Sequence, residues 1–82
     1  MKRPLVLTTW HDSRQPTASW AWLPPKEVAV VVVQTVGWVV WKSPEVTAVA
    51  ASIGDAGTDQ EQANGIMQIA TRAILSTRVL KA

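Results

Sequence analysis

The segment from Val28 to Trp41 constrains the fold more than any other part of this chain. Val28, Val30–Val33, Val36, Val39 and Val40 fill it almost completely. Branching at Cβ restricts χ1 in a helix and suits the pleated surface of a sheet, so the run predicts a strand. It is longer than the usual strand of about 5–6 residues, which places an expected bend or bulge at Gln34-Thr35 or at Gly37. Gln34 and Thr35 also interrupt it well short of the ~20 apolar residues that span a bilayer as a helix, and no membrane association is expected.

A strand apolar on both faces needs cover on both. The chain has 82 residues, so one domain is expected, with about 60–65% of its unfolded surface buried on folding. Charged residues make up 17% and hydrophobic residues 48%, which excludes a disordered tail. With no cysteine, neither a disulfide nor a thiolate metal site can help the core, and a reducing cytoplasm suits the composition. No charge follows Glu27 until Lys42. If Val28–Val33 lies at a sheet edge it is poorly protected against pairing with another chain, and a homo-oligomer held partly by this run is expected.

The net charge is +2. The basic residues are scattered, with Lys2 and Arg3 the one adjacent pair, which favours a solvated surface over a nucleic-acid patch. Pro4 and the short run Leu5–Leu7 do not make a signal peptide.

Around the valine run the pattern is that of short strands. Leu5–Trp10 predicts a first strand and His11–Thr17 a loop. Ser19–Leu23 suits a brief strand stopped by Pro24-Pro25. Lys42–Glu45 predicts a turn and Val46–Ile53 the returning strand of an antiparallel hairpin. In that strand Val46, Ala48 and Ala50 share one face, and Thr47, Val49, Ala51 and Ile53 the other. Gly54–Gly65 predicts a polar loop. The last segment has two readings. Ile66, Ile69, Ala70, Ala73, Ile74 and Thr77 have helical spacing, and Thr58 with Glu61 suits a capping box, giving an α+β alternative with a C-terminal helix. The other reading is a strand at Gly65–Ile69, a turn over Ala70–Ala73, and a strand from Ile74 to Leu80.

No set of residues forms an active site, and no enzyme activity, cofactor or metal is expected. His11, the one histidine, stands beside Asp12 and Ser13, but neighbours on an extended segment point apart, which is poor geometry for a triad. Asp55, Asp59 and Glu61 share a loop that lacks calcium-loop spacing. The five tryptophans are the most unusual feature. Trp10 and Trp38 are expected in the core, and Trp41 partly exposed beside the turn. Trp20 and Trp22 divide evenly between capping the core and forming a binding surface. Arg14, Trp20, Trp22 and Arg72 are the binding candidates, because Trp and Arg supply stacking surface and charge-assisted donors.

Three stretches carry a resemblance: Thr9-Trp10-His11-Asp12-Ser13, Gln34-Thr35-Val36-Gly37-Trp38-Val39-Val40, and Ile69-Ala70-Thr71-Arg72-Ala73-Ile74. Their order resembles a family of small phage and prophage proteins of uncharacterised function, with a Trp-x-Asp segment, a Thr-Val-Gly-Trp strand and a closing Ile-Pro-Lys-x-x-Ile. Ala70 stands where that pattern has proline. The resemblance implies a mainly β, strongly bent antiparallel meander similar to an SH3-like or Sm-like barrel, and it favours the two-strand reading of the C-terminal segment. It implies a binding protein in the host cytoplasm, interfering with a host defence system by binding a nucleotide, a nucleic acid or a host protein. The alternative is a structural or assembly component of a phage particle.

Overall fold

In a computed structural model the described residues are 3–14, 16–26 and 28–82. They form five strands: β1 (Leu5–Asp12), β2 (Val31–Lys42), β3 (Val46–Gly54), β4 (Gln62–Ala70) and β5 (Ile74–Lys81). A 3-10 turn over Thr71–Ala73 joins the last two. The strands make one antiparallel sheet in the order β4-β3-β2-β1-β5. Its two outer strands do not pair with each other, so the sheet is open.

β2 takes two neighbours in succession. Val31–Trp38 pairs with β1, and only from Trp38 onward does β2 pair with β3. β2 changes partner at Trp38, directly after Gly37, where a Cβ would lie 2.9 Å from the Ala50 carbonyl oxygen and 3.1 Å from the Val49 Cβ. Glycine is the residue that lets two backbones approach this closely. The register slip itself falls between Val39 and Trp41, not at Gln34-Thr35 or Gly37, the two positions expected from sequence. The valine run begins its strand at Val31; Val31–Val33 pairs with β1 on one side and has no strand partner on the other among the described residues, although β4 and β5 are the outermost strands of the sheet.

Directly paired residues share a face. One face gathers Val6, Thr8 and Trp10 of β1, Val39 of β2, Thr47 and Val49 of β3 and Ile69 of β4. Val6, Val49 and Ile69 are almost fully buried there, with Trp10, Val39 and Ile74 packed against them. Trp10 is half-buried and its indole N–H donates to Thr35 Oγ1 at 3.0 Å, which satisfies its one polar atom. Trp38 is also half-buried, so neither tryptophan expected in the core is fully enclosed. Trp41 is exposed.

The C-terminal helix is not formed. Gly65 adopts φ +67°, and its missing side chain makes room for Ala51, 2.9 Å from where a Cβ would stand. The expected capping pair is otherwise engaged. Thr58 Oγ1 donates to the Asp55 carbonyl at 2.7 Å, and the Glu61 carboxylate accepts from the Gly57 N–H at 2.9 Å and from the Arg3 guanidinium. Those contacts close the β3–β4 loop and leave Gln62 free to begin a strand.

Candidate binding arm

Residues 13–30 connect β1 to β2 and contain no strand among those described, so the brief strand expected at Ser19–Leu23 is not formed. This arm makes the molecule long. Its principal extents are 55 × 23 × 20 Å and its radius of gyration is 16.3 Å, against about 12 Å for a compact chain of this length.

The local causes are in the sequence. Pro16, Pro24 and Pro25 cannot donate to a sheet ladder. With no strand partner, alternation of large and small residues fixes no buried face. Trp20 is 103% exposed, Trp22 94% and Leu23 86%. Val28 and Val30 are exposed as the arm returns to the sheet.

Arg14 ties the base of the arm together. Its Nε donates to the Ala29 carbonyl at 2.8 Å, linking the outgoing and returning limbs. Beside it the Asp12 carboxylate accepts from the Ser13 N–H at 2.8 Å, and Thr17 Oγ1 donates to the Ser19 carbonyl at 3.1 Å.

Of the four binding candidates, the structure brings Arg14 and Trp22 together. Both line an open hollow with Pro24, Pro25, Lys26 and Val31. Trp20 lines a separate, shallower hollow with Thr17, Ala18 and Ser19. Arg72 is exposed in the 3-10 turn and lines neither. Sequence reasoning passed over Lys26, the second cation at the Trp22 hollow, whose signal was its place directly after Pro25.

His11 is exposed at the end of β1, paired in register with Val32. Among the described residues no three His, Asp or Glu side chains gather in a metal-binding arrangement. The titration of Glu61 is displaced downward. The Gly57 N–H, then the Arg3 guanidinium, hold it below the usual carboxylate range. That contact lies at the β3–β4 loop, away from the arm's hollows. Among the described residues no helix is long and apolar enough to cross a membrane.

Comparison with protein-family models, with curated proteins and with solved structures finds no match.

Proposed function

We propose that this chain is a small non-enzymatic binding protein of phage type that grips a host protein with the arm between β1 and β2. The observation that carries the reading is the exposure of Trp20, Trp22 and Leu23 on a segment extending away from the sheet. Burying one such side chain is worth about 1.5–3 kcal/mol, and this chain leaves the three without cover. Tryptophan is the residue most often found to dominate the energy of a protein interface, and the arm supplies two of them. Arg14 and Lys26 flank Trp22, which suits a partner segment mixing apolar and acidic side chains.

The finer fold assignment belongs with this reading. We take the sheet as an SH3-like or Sm-like barrel left open at its seam. The strand order and the 3-10 turn between β4 and β5 support that reading. On such a scaffold the sheet is the rigid base and the long first connection is the variable, ligand-seeking element. The resemblance to small phage proteins supports a host protein as the partner and interference with host defence as the purpose.

The test compares the tagged wild-type chain with the Trp20→Ser/Trp22→Ser variant, both expressed in the host and purified with whatever they hold. One host protein in near-stoichiometric amount with the wild type, and at least tenfold less with the variant, is the expected result. The complex should then re-form from purified components. The same proteins on both baits would overturn the arm as the binding element. Nuclease-sensitive nucleic acid in place of a protein would overturn the choice of partner.

A further inference from the structure

The two outer strands of the sheet, β4 and β5, are unlike each other in a way that specifies a partner. Each presents one row of backbone N–H and C=O groups with no neighbour among the described residues. Natural edge strands are usually blunted by charge, proline or brevity. β4 has none of these: Gln62–Ala70 is nine residues long, without a charged residue or a proline, and all but Ile69 are exposed. Ile66 and Met67 add exposed apolar side chains on its two faces. β5 is nearly as long, eight residues, and exposes Leu75, Val79 and Leu80, but it carries Arg78 and Lys81.

We infer that copies of this chain associate head to tail, the β5 edge of one copy joining the β4 edge of the next to continue the sheet. Three pairings of these edges are possible, and charge and coverage separate them. Pairing β5 with β5 sets Arg78 and Lys81 against their own copies, and like charges facing across a ladder are destabilising. Pairing β4 with β4 covers one edge and leaves β5 open. Pairing β4 with β5 places the basic strand beside an uncharged one and satisfies both edges, with eight or nine residues of matched length. A head-to-tail contact of this kind closes into a ring of more than two copies or runs on as a filament. It does not use the arm, so its failure and the failure of the arm as a partner site are separate results.

The experiment is light scattering coupled to size exclusion and native mass spectrometry of the full chain at micromolar concentration. It is run beside Asn64→Lys/Gln68→Lys, which puts two charges on the exposed β4 edge without touching a buried side chain. The wild type should have several times the 8.9 kDa chain mass, and the variant should fall to 8.9 kDa with an unchanged far-ultraviolet spectrum. Adding Arg78→Glu and Lys81→Glu to the variant should restore the assembly by reversing the charge that faces the new lysines. Hydrogen exchange gives a readout that does not depend on any variant: amides of both β4 and β5 should be protected in the wild type. A wild-type monomer, a dimer that protects β4 alone, or an assembly whose size ignores the β4 lysines would each overturn the pairing.

Discussion

Two side chains show how far single residues are committed to this fold. Thr8 is buried in β1, and its hydroxyl has no hydrogen-bond partner among the described residues. A buried hydroxyl of this kind carries a desolvation cost of about 1–3 kcal/mol that no bond offsets. Thr8→Val keeps the branched shape and removes the hydroxyl, so it should stabilise the chain by about 1 kcal/mol, read from the urea midpoint. A loss of that size would show that the hydroxyl is satisfied in solution. Glu61 behaves oppositely. Its folded titration lies below its unfolded one, so the folded state binds fewer protons through that window and stability rises with pH there. The contribution is present above the unfolded value of about 4.3 and disappears as pH falls through the folded value. The stability gap between wild type and Glu61→Gln should therefore be steady near neutrality and close on acidification. A gap that ignores pH would mean that the contacts to Gly57 and Arg3 do not hold in solution.

At the scale of elements, the turn between β2 and β3 is fastened to the turn between β4 and β5. Ser43 Oγ accepts from the Val46 N–H at 3.0 Å, and the Ser43 carbonyl accepts from Thr71 Oγ1 at 2.9 Å. Thr71 Oγ1 also meets Thr47 Oγ1 at 3.0 Å, and the Thr71 N–H donates to the Glu45 carbonyl at 3.0 Å. These bonds hold the start of the 3-10 turn against the β2–β3 hairpin, and so fix where β5 begins. Thr71→Val breaks two of them and should cost about 1–2 kcal/mol, with Thr71→Ser nearly neutral. A nearly neutral Thr71→Val beside a costly Thr71→Ser would instead assign the effect to packing of the threonine methyl. This fastening also shows what the sequence could and could not reveal. The valine run, the Lys42–Glu45 turn and the alternating faces of Val46–Ile53 were legible, because each rests on local pattern. The C-terminal segment was not, because Ile66, Ile69, Ala73 and Ile74 fit helical spacing as well as two strands broken by a turn. What decides is distant: Ala51 opposite Gly65, and Ser43 opposite Thr71. Nothing between Gly54 and Ala82 announces those partners. The same limit applied to the site. Trp20 and Trp22 alternate with small residues as a half-buried strand would, and only the lack of a neighbouring strand leaves both in solvent.

For the whole molecule, the place of the first strand matters most. β1 lies inside the sheet, with β2 on one side and β5, the last strand, on the other. The described residues of the segment following it are exposed, include Arg14 and Lys26, and contribute no side chain to the buried core. Exposed loops of this kind are the preferred sites of proteolytic nicking. Trypsin under native conditions should therefore cut first after Arg14 or Lys26, and the two pieces should stay together. The short N-terminal fragment remains clasped by ladders on both its edges, with Val6 in the core. The nicked protein should elute as one species, give two masses only on denaturation, and re-form when the separated fragments are mixed. Release of the short fragment on nicking would show that the peptide link, and not the two ladders, retains the first strand. This chain is thus already divided, by its own geometry, into a detachable strand and the two pieces that it joins, the β2–β3–β4 sheet and β5.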